Sequence, residues 1–262
     1  MQLLLGSTIL LAYNVEEVLQ QASQLGYDGI EIWAYHLYRT GESPSQLAQI
    51  SKHLGLNLTV HALSWDLNMT SDITSLRQES LTLLESCVEL AAALTAPLLV
   101  VHPGRATVPK ADKESYWSLL VDGIQRLARK AAAYDVTIAI EHMEPLDAEL
   151  VVQPSEVQRL LQAVGEDNVC VVFDVAHVPA ETNLVQFLEQ LPVVKHVHLS
   201  DANQSQRHLP LGTGCLDLKG VLYYLQQTNY RGFVVVEGIE HQRTLYLARR
   251  NKEALDELLG HN

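Results

Sequence analysis

Residues 169–177 read VCVVFDVAH, an apolar run that ends by presenting Asp174, with His177 three residues later. A strand that is apolar without alternation is buried on both faces, which is typical of a parallel sheet covered by helices. Burying the Asp174 carboxylate without a partner is energetically unfavourable. The stretch therefore predicts a central strand of an α/β protein, and it predicts a counter-charge close to the carboxyl end of that strand.

Seven further runs of this kind are spread along the chain: LLLGS (3–7), GIEIWA (29–34), LTVHAL (58–63), PLLVVHPG (97–104), VTIAIEH (136–142), VVKHVHLSD (193–201) and FVVVEGI (233–239). Between the runs, apolar residues recur at helical spacing, for example in 15–26, 75–94 and 113–134. Eight β-then-α units in 262 residues are typical of a (β/α)8 barrel. We therefore predict an α/β fold in which residues 1–262 form a single TIM barrel domain.

The alternative α/β architecture is an open, doubly wound sheet. That fold calls for a glycine-rich phosphate turn after an early strand. The first turn here reads GSTILLAYN (6–14) and contains no G-x-G-x-x-G pattern, which favours the barrel. Helix ends are marked locally, because Gly26, Gly55 and Gly165 fall where a helix C-cap belongs, and Asn183 where an N-cap belongs.

Charge and cysteine content narrow the class of protein. The chain has 18 basic and 31 acidic residues, a formal net charge of −13, which repels a phosphate backbone and makes a nucleic acid partner unfavourable. Its three cysteines form no CxxC pair or disulfide framework. The segment MQLLLGSTILLAYN (1–14) lacks a basic region and is interpreted as a strand rather than a signal peptide. We expect a cytoplasmic protein without a membrane partner.

Ionisable residues lie at or near the carboxyl ends of seven strands: Glu31, His61, His102, Glu141, Asp174, His198 and Glu237. Active sites of TIM barrels lie at this end of the strands. Several carboxylates brought close together raise one another's pKa unless a cation lies among them. Mixed histidine and carboxylate ligands suit Zn²⁺ or Mn²⁺. We therefore predict a metal site at the carboxyl rim of the barrel, with Asp174 as a ligand.

Two assignments within this set depend on side-chain direction. His196 and His198 alternate along one predicted strand, so we expect them to face opposite sides, with only one of them pointing into the barrel mouth. Glu31 is expected either to contact the substrate or to form a structural salt bridge. His177, just past Asp174, is a candidate second ligand, a neighbour of the ligands or a substrate contact.

Together these pieces resemble the xylose isomerase-like TIM barrels, which include sugar isomerases, sugar epimerases and endonuclease IV-type enzymes. The matching segments are VHAL (60–63), VVHPG (100–104), AIEH (139–142), FDVAH (173–177), HVHLSD (196–201), RHLPLGTG (207–214) and VVVEG (234–238). Each segment is weak alone, and the order and strand-end placement of all seven carry the resemblance, which covers essentially the whole chain.

The resemblance to the isomerase and epimerase branch implies a metal held by Glu141, Asp174, His198 and Glu237. It implies that Glu141 and Glu237 move the substrate proton, and that His177 and Arg207 contact the substrate. Trp33 and Trp65 are candidates to wall a sugar site by stacking. The predicted activity is isomerisation or epimerisation of a sugar, sugar phosphate, inosose or other polyol. We expect a divalent metal, Zn or Mn ahead of Mg or Co, and no organic cofactor.

The resemblance to endonuclease IV-like zinc phosphoesterases implies a different function. His61, His102 and His208 match further ligands of those enzymes, with Glu141 bridging a second zinc, and His177 is another candidate ligand. Gln206 stands where the nuclease pattern has an aspartate, and no basic, aromatic-rich DNA-gripping insertion is evident. A non-catalytic sugar-binding protein is a further alternative. The substrate, the number of metals and the oligomeric state are left open.

Overall fold

The structure, a computed structural model, describes residues 1–260. Eight parallel strands close into a barrel in chain order, each pairing with the next and β8 pairing with β1. The strands are β1 (Gln2–Gly6), β2 (Gly29–Trp33), β3 (Asn57–His61), β4 (Leu98–Val101), β5 (Thr137–Glu141), β6 (Val169–Asp174), β7 (Val194–Leu199) and β8 (Phe233–Val236). The predicted TIM barrel is confirmed.

Helices connect the strands on the outside of the barrel. They are α1 (Val15–Leu25), α2 (Ala34–Thr40), α3 (Pro44–Leu54), α4 (Thr74–Ala93), α5 (Glu114–Ala132), α6 (Pro154–Val164), α7 (Leu184–Gln190), α8 (Leu218–Gln227) and α9 (Tyr246–Leu259). Short 3-10 turns follow β1 (Ser7–Leu10) and β6 (Val175–His177). Within residues 1–260, none of these helices is both long and apolar enough to cross a membrane.

Local signals set several helix ends. Gly26, Gly55 and Gly165 end α1, α3 and α6 with φ of 77°, 71° and 65°, a left-handed backbone that glycine adopts without a Cβ clash. The Asn183 side chain accepts a hydrogen bond from the main-chain N–H of Gln186 at the start of α7. The predicted caps are therefore confirmed.

That residues 1–262 form a single domain, and that the protein is cytoplasmic, stay predictions.

Two apolar clusters fill the molecule. The large one packs between the strands and the helices, and a small one consists of Leu98, Val100, Ala139, Cys170 and Val172, with Phe233 against it. The small cluster draws on β4, β5, β6 and β8, so we interpret it as the lower layer of the barrel interior. Residues two apart on a strand face the same side. Ala139 and Val172 therefore direct Glu141 and Asp174 inward, one layer higher.

The same periodicity corrects the expectation for β7. His196 and His198 are two residues apart, and both are fully buried beside Glu31. The expectation that only one of them faces the interior was wrong, because opposite faces belong to neighbouring residues and not to residues two apart.

Candidate active site

Four predicted ligands converge above the apolar layer. Glu141 and Asp174 end β5 and β6, His198 lies in β7, and Glu237 directly follows β8. His198 Nδ1 lies 3.0 Å from Glu141 Oε1, 3.2 Å from Glu237 Oε1 and 3.9 Å from Asp174 Oδ2. Three carboxylates from three strands therefore meet around one imidazole nitrogen.

This group is almost entirely removed from solvent, with exposed fractions of 0% for Asp174 and 1% for Glu141. Asp174 Oδ1 accepts from the Ala176 N–H at 2.7 Å, which ends β6 and forms the 3-10 turn. Asp174 Oδ2 and Glu141 Oε2 have no hydrogen-bond partner among the described residues. Buried carboxylates that share a site repel one another unless a cation lies between them, so these orphaned oxygens and the adjoining imidazole fit a divalent metal.

The two glutamates occupy different electrostatic surroundings. Burial would raise the pKa of Glu141, but His198, His102 and His61 outweigh it and hold this pKa well below its usual value. Burial, assisted by the neighbouring Asp174 and Glu141 carboxylates, raises the pKa of Glu237 to about 7 against the opposing effect of His198. Pairs of carboxyl groups whose pKa values are driven apart are typical of acid and base partners.

A second group of histidines adjoins Glu141 on the β3 and β4 side. His102 Nε2 and His61 Nε2 lie 3.1 Å and 3.5 Å from Glu141 Oε2. The His61 ring stacks on Trp33 with centroids 4.0 Å apart and an interplanar angle of 10°. One ligand atom from each of His61, His102 and Glu141 lies within 4.8 Å of the others, which is compatible with a second metal.

A third group lies on the opposite rim. His177 Nδ1 donates to the main-chain carbonyl of His142 at 2.9 Å, which directs Nε2 toward Asp174 Oδ2, 3.5 Å away. His208 Nδ1 lies 3.6 Å from Glu237 Oε2, and its Nε2 lies 3.8 Å from Glu144. Burial lowers the pKa of His208, but Glu144, Asp174 and Glu237 together raise it to about 9.

Members of all three groups line one cavity of about 300 Å³ at the carboxyl end of the barrel, whereas the candidate ligands Asp174 and His198 do not belong to its lining. It is lined by Thr8, Trp33, His61, Ser64, Trp65, His102, Arg105, Glu141, Met143, Glu144, Glu149, His177, His208, Glu237, Gly238 and Ile239. The cavity joins the buried carboxylates to solvent and has tryptophans on one wall.

The family model described as Xylose isomerase-like TIM barrel matches residues 19–259. The chain belongs to the xylose isomerase-like TIM barrel family. Fructoselysine 3-epimerase of Shigella flexneri is 24% identical over 237 residues, which cover 85% of this chain and 84% of that protein. The relatives of the chain therefore include a sugar epimerase.

Solved structures agree with the family fold. A D-tagatose 3-epimerase-like protein superposes with a TM-score of 0.84 at 23% identity, over 99% of this chain and 97% of that one. The IolI protein, whose crystal structure holds a bound zinc atom, superposes with a TM-score of 0.83 at 21% identity, over 99% and 98% of the two chains. At these identities the similarity shows the shared fold.

Of the residues predicted to contact the substrate, some line the cavity and one does not. Trp33 and Trp65 both line the cavity, with ring centroids 5.2 Å apart. His177 lines it as well, whereas Arg207 donates to the main-chain carbonyl of Ala176 and does not belong to the lining. The substrate contact of Arg207 stays a prediction.

Sequence reasoning missed three charged residues of the cavity. Glu144 follows β5 in a loop and lies beside His177 and His208. Arg105 and Glu149 form an antiparallel bridge between the loops after β4 and β5. The available signal was proximity to the strand-end residues His102 and Glu141, since loops at this end of a barrel build its active site.

Proposed function

We propose that the protein is a divalent-metal-dependent epimerase or isomerase of a sugar or related polyol. The observation that carries the proposal is the approach of Glu141 and Glu237 to the same nitrogen of His198, at 3.0 and 3.2 Å. Two carboxylates so close to one centre can address a single substrate carbon. The relatedness to fructoselysine 3-epimerase supports this chemistry.

The metal would be held by Glu141, Asp174, His198 and Glu237. When bound, such a cation polarises a substrate carbonyl and stabilises the negative charge that develops on its oxygen. The donor set of three carboxylates and one imidazole suits Zn²⁺ or Mn²⁺, and the zinc atom of IolI supports zinc as one candidate.

The two glutamates would move the proton. One carboxylate takes the proton from the carbon next to the carbonyl, and the electron pair of that C–H bond moves toward the carbonyl oxygen. A proton returned by the second carboxylate to the opposite face inverts the configuration of the carbon.

The rest of the cavity would hold the substrate. Trp33 and Trp65 line the same wall, and aromatic faces pack well against the C–H groups of a sugar ring. His61 already covers one face of Trp33, so only its other face and Trp65 are left for the substrate. His177 and Glu144 present a ring nitrogen and carboxylate oxygens to hydroxyl groups on the opposite wall. A cavity of about 300 Å³ matches a small ligand and not a polymer.

A metal-dependent phosphodiesterase is the second candidate. It is favoured by the approach of His61 and His102 to Glu141 Oε2, because clustered metals suit phosphodiester cleavage. The net charge of −13 and Gln206 in place of a ligand aspartate weigh against it.

Solvent exchange tests the epimerase proposal. The metal-loaded protein should incorporate deuterium from D2O at a carbon next to the carbonyl of an accepted ketose, ketoamine or inosose, including fructoselysine and tagatose in the panel. The variant Glu237→Gln removes a proton acceptor with almost no change in volume, and we expect exchange and turnover to fall by at least about a thousandfold. Mass spectrometry and NMR measure the exchange.

The matched control is Glu240→Gln, the same chemical change three residues along. Glu240 lies outside the cavity lining, and its Oε1 accepts from the main-chain N–H of Gln242 at 2.8 Å. The Glu240→Gln protein should exchange the substrate proton with solvent at the wild-type rate. A folded, metal-loaded Glu237→Gln protein with wild-type exchange would refute the proposed role of Glu237.

A further inference from the structure

A buried carboxylate lies behind the candidate metal site. Glu31 in β2 is fully buried and does not belong to the cavity lining. Its Oε1 lies 3.2 Å from His198 Nε2, and its Oε2 lies 2.8 Å from His196 Nε2. Thr59, its register partner on β3, donates its hydroxyl to Oε2 at 3.1 Å. Three side chains therefore surround a charge that has no access to solvent.

His198 bridges this carboxylate and the candidate ligands. Its Nε2 faces Glu31, and its Nδ1 faces Glu141, Glu237 and Asp174. A neutral imidazole carries one proton, and a nitrogen that binds a metal must have its lone pair free. If Nδ1 is the ligand atom, the proton belongs on Nε2.

An ionised carboxylate presents only lone pairs, so it repels the bare lone pair of an adjacent ring nitrogen and favours a protonated nitrogen there. The N–H directions of His196 and His198 fall outside good hydrogen-bond angles to Glu31, so these are close contacts without a hydrogen bond. Their effect on the proton is electrostatic: a negative charge 3.2 Å from Nε2 favours the proton there over Nδ1.

We propose that Glu31 is a positioning residue for His198: it keeps the proton on Nε2 and Nδ1 free to bind the cation. His196 and Thr59, from two other strands, contact the Glu31 carboxylate and hold it in place. Glu31 in turn contacts the candidate ligand His198. The inference rests on the proposed metal role of His198. Carboxylates that contact metal-binding histidines in this way orient the ring and raise its basicity, and their loss weakens metal binding about 10–100-fold.

The test compares zinc affinity in the wild type and in Glu31→Gln, by competition with a chromogenic chelator and without any sugar. We expect zinc binding to weaken about 10–100-fold in the variant. In the zinc-loaded wild type, 15N-edited NMR should show a His198 Nε2–H signal protected from solvent exchange, and Glu31→Gln should shift it and shorten its lifetime. Glu240→Gln, which removes a charge outside the cavity lining, should change neither.

A second variant covers the case in which Glu31→Gln does not fold. Thr59→Val keeps the shape of the side chain and removes one donor to Glu31, so zinc binding should weaken in the same direction by about fivefold or less. Wild-type affinity and an unchanged Nε2–H signal in Glu31→Gln would overturn the proposal. Loss of a whole zinc equivalent in both Glu31→Gln and His196→Gln would also overturn it, because Glu31 and His196 would then be ligands themselves.

These outcomes are separate from those of the proposed function. Zinc affinity and the NMR signal are read without substrate, so a protein that binds zinc but exchanges no substrate proton refutes only the epimerase proposal. A protein that exchanges the proton, with equal zinc affinity in Glu31→Gln, refutes only the role of Glu31.

Discussion

His36 shows at the residue scale how burial shifts the protonation of a side chain. It lies in α2 and is fully buried. Its Nε2 donates to the main-chain carbonyl of Tyr13 at 2.9 Å, and its Nδ1 has no hydrogen-bond partner among the described residues. Burial lowers the pKa of His36 below the usual 6.5. The ring is therefore neutral in the folded protein at pH values where the unfolded chain already takes up a proton.

This predicts a dependence of stability on pH. As the pH falls below about 6.5, the unfolded state binds more protons than the folded state, so the free energy of unfolding decreases. A glutamine side chain at this position would keep a donor for the Tyr13 carbonyl without titrating. We expect His36→Gln to lose less stability than the wild type between pH 7.5 and pH 5.5, measured as the shift in Tm.

The control for this prediction is His53→Gln, because His53 is an exposed histidine on α3. From pH 7.5 to pH 5.5, the Tm of the His53→Gln protein should fall by as much as the Tm of the wild type. Equal losses in the wild type and in His36→Gln would show that His36 does not contribute to the pH dependence.

At the scale of elements, α1 illustrates how side chains satisfy a helix start. Asn14 Oδ1 accepts from the Glu17 N–H at 2.8 Å, and Glu17 Oε2 accepts from the Asn14 N–H at 3.0 Å. Glu42, from the turn between α2 and α3, accepts from the N–H groups of Val15 and Glu16 at 2.7 and 2.9 Å. The first main-chain N–H groups of α1, which have no partner within the helix, are thus bonded. That of Glu17 bonds to the neighbouring Asn14, and those of Val15 and Glu16 bond to Glu42, which is distant in the sequence.

The local part of this cap can be tested. Asn14→Ala removes the acceptor for the Glu17 N–H, and we expect the free energy of unfolding to decrease by about 1 kcal/mol. Asn14→Asp keeps an acceptor oxygen and adds a charge that the helix N-terminus favours, so it should remain close to wild type. Urea unfolding midpoints measure both variants. If Asn14→Asp is as unstable as Asn14→Ala, the cap is not the cause.

At the scale of the whole molecule, barrel closure brings two groups of candidate metal ligands together at Glu141. It brings His61 and His102 from β3 and the end of β4 to the same carboxylate that β7 approaches from the other side. The molecule also carries a net charge of −13, which opposes association with a duplex. The clustered histidines favour a phosphodiesterase and the negative charge favours a sugar epimerase. One variant with two substitutions distinguishes these functions.

We expect His61→Ala with His102→Ala to retain one metal per chain on Glu141, Asp174, His198 and Glu237 and to raise mainly KM on sugars. If the protein were a phosphodiesterase, the loss of one metal would lower its rate by roughly three orders of magnitude. Metal content by mass spectrometry, with activity on a sugar panel and on an abasic-site duplex, measures the outcome.

The matched control is His53→Ala with His241→Ala, two exposed histidines outside the cavity lining. It should keep the metal content and the activity of the wild type. Two or three metals per wild-type chain together with duplex cleavage would overturn the epimerase proposal.

The barrel was predictable because its signals are local. A strand such as β6 is recognisable from its continuous run of apolar residues. Gly26 marks the end of a helix because it adopts a left-handed backbone, and Asn183 marks the start of one because its side chain accepts a hydrogen bond. The convergence of Glu141, Asp174 and His198 was also predictable, since parallel strands in a barrel end at one rim. By itself the sequence therefore determined the order of the elements and the residues delivered to that rim.

Only the tertiary structure decided which of those residues touch. The loops that bring Glu144 and Arg105 to the cavity, and that direct Arg207 onto the Ala176 carbonyl, take their course from contacts distant in the chain. Glu31 and His198 come from β2 and β7, and their approach depends on the closure of the barrel. Periodicity specifies the face of a strand on which a side chain lies, whereas its neighbours across the interior follow from packing of the whole barrel.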